Sequence, residues 1–114
     1  MKPLLKNHKM KEFEWDENKN QKNKEKHNLS FEHASQVFED ENRLQYAVDS
    51  KDETRYITIV KVFKVIITVV YTIRNFVFRL ISARSARKDE RERYIANSLR
   101  KQDEEYDKAK DQPQ

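Results

Sequence analysis

The sequence predicts an α+β protein, a small antiparallel β-sheet with two N-terminal helices and one C-terminal helix, and three observations carry that reading. From Arg55 to Ala83 the chain is dominated by Val, Ile, Thr, Tyr and Phe, which is strand chemistry, with Arg74-Asn75 as a tight turn between two runs. Ahead of this region Phe31, Ala34, Val37 and Phe38 recur at helical spacing, and behind it Arg91, Tyr94, Ile95 and Leu99 do the same. A chain of 114 residues with 36% hydrophobic content can bury one modest core, so the expectation is a single domain over residues 13–102.

The elements follow in order. Residues 1–12 read as a flexible leader, because the apolar run in MKPLL is too short for a signal peptide and no small-residue cleavage site follows. Phe13 to Trp15 is a short apolar first strand, with Trp15 packing it against the sheet. Asp16 is placed to cap a helix through Lys26. That helix is almost entirely Asn, Gln, Lys and Glu, so it is either solvated between two packed pieces or presents its polar face to a polyanion. The chain has no glycine, which makes Asn28 and Asn75 the candidates for positive φ, Asn28 at a left-handed helix C-cap.

Ser30 is the expected N-cap of the second helix, which stops at Glu39-Asp40-Glu41-Asn42. Arg43 to Val48 can form a short strand, and Asp49 to Asp52 is a loop by composition. Three strands then form an antiparallel meander over Arg55 to Val60, Val65 to Ile73 and Phe76 to Ala83. Strict alternation in the last puts Phe78, Leu80, Ser82 and Arg84 on one face and Val77, Arg79, Ile81 and Ala83 on the other. A third helix starts near Ser85 and holds strong helix formers from Arg87 to Gln102, while residues 103–114 read as an acidic, frayed tail.

Composition excludes several classes. Without Cys there are no disulfides, thiolate metal sites or Cys nucleophiles, and a reducing cytoplasm suits the chain. His8, His27 and His33 show no metal-ligand spacing, so neither metal nor cofactor is expected. Tyr56 to Ile81 is long enough to cross a bilayer, but Lys61, Lys64, Arg74 and Arg79 interrupt it and argue against a membrane helix. The net charge of +4 is unevenly spread: residues 61–101 are strongly basic, and residues 30–60 and 102–114 are acidic. Such a basic region suits RNA or an acidic protein partner, or is simply a solvated surface.

The candidate site residues are cationic. His27 is of the one side-chain type that ordinarily titrates near neutrality, and Lys26 beside it offers a phosphate contact; alternatively His27 bonds the free carbonyls of its own helix end. Arg55, Arg79 and Arg84 can converge on one sheet face or its rim, where the planar guanidinium grips two phosphate oxygens. The alternative pairs Arg79 with a carboxylate such as Glu53 and has Arg84 cap the next helix. Tyr71 and Tyr94 can stack on a base or donate to a phosphate, although Tyr71 inside a strand also suits a core, and Arg87 and Arg91 extend the basic surface.

The words FEWDENKN, KHNLSFEHASQVF, TRYITI, VVYT and RLISARSARKDERERY together resemble the BrnT toxins of bacterial type II toxin-antitoxin modules, over about Phe13 to Tyr94. The chain departs from that family in carrying Asn28 where a glycine follows the Lys-His pair. The resemblance implies a RelE-like fold and a toxin that inhibits growth as a metal-independent endoribonuclease. On that reading Lys26, His27, Arg55, Arg79 and Arg84 are catalytic, and Tyr71, Arg87, Arg91 and Tyr94 bind RNA. It also implies a BrnA-like antitoxin with a ribbon-helix-helix domain, assembled as a heterotetramer that reaches operator DNA through the antitoxin. A non-catalytic RNA- or antitoxin-binding protein of the same fold is the alternative.

Overall fold

The β-branched and aromatic region forms three long strands in the computed structural model, which describes residues 12–110. They are β3 (Glu53–Val62), β4 (Val65–Arg74) and β5 (Val77–Ser85), paired antiparallel in sequence, with β2 (Leu44–Ser50) antiparallel to β3. The two-residue β1 (Phe13–Glu14) lies parallel to β5, giving the order β1-β5-β4-β3-β2. The sheet is therefore mixed, not wholly antiparallel, and its first strand precedes α1 (Glu17–His27). α2 (Phe31–Ala34) continues into a 3-10 turn at Ser35–Glu39. α3 (Lys88–Lys110) runs past Gln102 and takes in residues 103–110 of the expected tail, whose last four residues lie outside the described residues. The expected leader lies, except for Glu12, outside the described residues.

Caps fall where the sequence puts them. Asp16 accepts from the N–H groups of Asn18 and Lys19, and Ser30 accepts from that of His33. Asn28 and Asn75 take the left-handed conformation, at φ 55° and 52°. Lys51, Phe63 and Phe76 do so as well, because the hairpins need positive φ and no glycine is present to supply it.

The core lies on one face of the sheet. Phe31, Ala34 and Val37 pack onto Val60, Ile67, Val69, Tyr71, Leu80 and Ala83. Trp15 meets the Phe31 ring edge-on at 6.1 Å, and Phe13, Phe38 and Phe78 form an aromatic group beside them. α3 covers part of the other face, where Ile59 and Thr68 are fully buried and the Tyr94 hydroxyl donates to Asp40 at 2.6 Å.

A bulge in β5 redirects the site. Ser82 pairs with Val70 but Leu80 pairs with Tyr71, so Ile81 is the extra residue and alternation slips by one there. Arg84 stands opposite Thr68 and Arg79 opposite Thr72, two positions on the same face of β4. Simple alternation had put Arg79 and Arg84 on opposite faces; the bulge brings them to one, the face α3 covers in part. Arg55, opposite Thr72 on the other side, joins them. Among the described residues no helix is long and apolar enough to cross a membrane.

Candidate active site

α1 has no apolar side chain, yet it is held firmly, by two buried asparagines. The amide nitrogen of Asn20 donates to Glu32, and its oxygen accepts from the Phe31 N–H at 2.9 Å. Asn23 donates to the carbonyls of Leu29 and Ala83, both at 2.8 Å, and accepts from the Ala83 N–H. Beyond the end of β1, this one amide takes the place of a neighbouring strand on the free edge of β5. Asn20, Asn23 and His27 fall at i, i+3 and i+7, on one side of the helix. The contacts that dock α1 therefore also carry His27 to the end of β5.

There the C-terminus of α1 faces the N-terminus of α3 across a cleft of about 440 Å³, lined by Glu25, Lys26, His27, Asn28, Arg84 and Arg87 together with Ser85. His27 is half-buried and Lys26 and Arg87 are exposed. Among the described residues, the side chains of these three make no hydrogen bond or ion pair, so their polar atoms are available to a ligand. The alternative in which His27 bonds its own helix end is not what the side chain does.

Arg84 is fixed instead. Its Nη1 and Nη2 donate to the two Glu90 oxygens at 2.8 and 2.9 Å, and Nη1 also reaches the Ser85 carbonyl. Glu90 further accepts from the Thr68 hydroxyl at 2.9 Å and from the Arg87 N–H at 2.8 Å, which caps α3. The Arg84 guanidinium, with the Arg87 N–H and Thr68 hydroxyl after it, outweighs burial and brings the Glu90 carboxyl down to about 2. Glu90 stays ionised and serves as a fixed anchor, not as a proton donor. It is Glu90 that caps α3, while Arg84 holds Glu90.

Arg55 and Arg79 share the sheet face with Arg84 but do not line the cleft. Arg79 pairs with Glu14 at 3.1 Å, and Glu53 instead takes Arg74 at 3.1 Å and Arg55 at 3.8 Å. Arg91 donates to the Ala86 carbonyl at 2.6 Å in the first turn of α3. The two tyrosines differ from expectation. Tyr71, 2% exposed, stacks on Tyr56 and donates to Gln45 within the core, and Tyr94 is buried against Asp40. Burial pushes both phenols up, with the Asp40 bond adding to it at Tyr94, and neither ring has a face open to a base.

Sequence reasoning missed Glu25, Ser85 and Glu90. Glu90 had a legible signal, since a carboxylate three residues after the last residue before a helix is a capping position. Its partnership with Arg84 depends on how α3 leaves β5, which periodicity does not encode.

Fold and cleft together define a small α+β protein with a row of arginines on one sheet face and a Lys-His-Arg cleft at the sheet's end. The model of a family described as the ribonuclease toxin, BrnT, of type II toxin-antitoxin systems matches residues 15–90, two thirds of the chain, and the protein belongs to that family. Every residue of the cleft lies within the match. No curated protein matches the chain. Membership in a type II family implies an antitoxin partner. Among the described residues, no three of His, Cys, Asp or Glu gather as metal ligands.

Proposed function

We propose that this protein is a RelE-like endoribonuclease toxin of the cytoplasm that arrests growth by cutting RNA without a metal, at the cleft formed by Lys26, His27, Arg84 and Arg87. The observation that carries the proposal is the meeting, in one cleft, of a histidine with no partner among the described residues and three cations, from the end of α1, the end of β5 and the residue that precedes α3. In this mechanism His27 takes the proton of a ribose 2′-hydroxyl, and the 2′-oxygen attacks the adjacent phosphorus. The bond to the 5′-oxygen breaks, and that oxygen takes a proton from Lys26, the cleft's one titratable cation besides histidine. Arg84 and Arg87 hold the negative charge that builds on the phosphate. The products are a 2′,3′-cyclic phosphate end and a 5′-hydroxyl end.

Glu90 keeps the Arg84 fork at a fixed angle, and Arg84 retains further N–H groups for phosphate. Arg55 and Arg79, on the same sheet face, supply backbone contacts to RNA beyond the cleft. The non-catalytic alternative draws on the ion pairs of Arg55, Arg79 and Arg84, each of which already has a carboxylate partner. The partner in this reading is a BrnA-like antitoxin, whose ribbon-helix-helix domain dimerises and joins two toxins into a heterotetramer on operator DNA. Expression in a bacterial host tests the two readings. Growth should stop with the natural chain, continue with His27→Ala, and resume when the neighbouring open reading frame is co-expressed and co-purifies; arrest by His27→Ala would favour a role in binding alone.

A further inference from the structure

A second hollow, of about 540 Å³, adjoins the cationic cleft and shares His27, Asn28 and Ser85 with it. The two differ in chemistry. The second is lined by Leu29, Val65 and Ile67, with His33 and Lys24 beside them. The His33 imidazole makes no hydrogen bond or ion pair among the described residues, and it packs against the Phe63 ring at 5.3 Å. Phe63 itself is 77% exposed and held at φ 58°, a conformation that a bulky side chain adopts only at a cost. An apolar floor and an imidazole edge that has no partner among the described residues, reached over the same histidine that borders the phosphate cleft, are the parts of a nucleobase site.

We propose that this hollow holds the base of the nucleotide next to the scissile phosphate, and that His33 reads its polar edge while Leu29, Val65 and Ile67 accept its face. The proposal rests on the reading of the neighbouring cleft as a phosphate site and deepens it by naming what sets nucleotide preference. The volume falls within the roughly 300–1,000 Å³ of small-ligand sites. The placement also explains why α1 ends where it does: Asn28 turns the chain so that Lys26 and Arg84 face one hollow and Leu29 and His33 the other.

Two measurements on the full chain test it. In ¹H–¹⁵N spectra, ribose 5-phosphate should move the amides around Lys26, His27 and Arg87 only, whereas the four nucleoside 5′-monophosphates should also move those of Leu29, His33 and Val65. Nucleotide shifts that miss Leu29, His33 and Val65 overturn the proposal. Mapping of RNA ends should then show a nucleotide bias beside the cut that His33→Ala flattens to less than twofold. Val65→Trp, which fills the hollow from an exposed position, should flatten it as well. A His33→Ala end profile superimposable on that of the natural chain contradicts the base site and leaves the cleavage reading intact. If the natural chain cuts no RNA, the cleavage reading fails, and the spectra still decide the base site.

Discussion

Glu90 bears on both stability and the candidate site. Only 5% of its side chain is exposed, and it gathers Arg84, Thr68 and the start of α3 around one carboxylate. Its pKa falls from the ordinary 4.5 to about 2, a difference worth about 3 to 4 kcal/mol at roughly 1.4 kcal/mol per pH unit. Because the folded value lies below the unfolded one, this stabilisation is complete above about pH 4.5 and is lost as pH falls through about 2. Glu90→Gln should therefore lower the unfolding free energy by about 3 to 4 kcal/mol at pH 7, with the gap between variant and natural chain narrowing by pH 3. Denaturant titrations at the two pH values check this, and an equal gap at both would show that Glu90 stabilises through packing instead. Arg84→Ala leaves the same carboxylate buried without its cation, so its effects on stability and on RNA must be measured separately.

At the scale of elements, α1 is a helix that docks by amides instead of by an apolar face. Replacing Asn23 with Asp removes both N–H donors and sets a carboxylate against the Leu29 and Ala83 carbonyls, which should cost about 3 kcal/mol and detach the Lys26-His27 end from β5. Amide exchange across α1 reports that loss; protection equal to the natural chain's would mean that other contacts hold the helix. The β4–β5 turn makes a prediction of opposite sign. Phe76 sits at φ 67° and is 96% exposed, so Phe76→Gly should raise stability by about 1 kcal/mol, as judged by the denaturation midpoint. What was legible in the sequence follows from the physics of each element. Strand chemistry, the Asp16 and Ser30 caps and the left-handed Asn28 are local, and they stand where the residues indicate. The bulge at Ile81 was not legible, because a slip in alternation depends on the partner strand. Neither was the parallel pairing of β1 with β5, since two residues carry no period. The buried asparagines of α1 look, in the sequence, like any other polar residues in a solvated helix.

For the whole molecule, the basic segments at the end of β5 and the start of α3 meet Lys26 and His27 across one cleft, although some sixty residues separate them along the chain. Folding alone assembles that cleft: α1 arrives through Asn23, Arg84 through β5, and Arg87 through the Glu90 cap. The sequence singled out Lys26, His27, Arg84 and Arg87 because residue type and resemblance both pointed to them. It grouped Arg55 and Arg79 with them for the same reasons, whereas their positions lie further along the sheet face. Tyr71 was ambiguous by type and went to the core. The measurement that bears most directly on the central claim is incubation of bulk RNA with purified natural chain, His27→Ala and Arg84→Ala, in a chelator, with folding verified by thermal melting. The natural chain should leave 5′-hydroxyl ends, Arg84→Ala should be slower, and His27→Ala should lose roughly 10²–10⁴-fold in rate, the usual share of a proton-transfer group. A folded His27→Ala chain that cuts RNA as fast as the natural one, or natural-chain activity that vanishes in the chelator, would contradict the account.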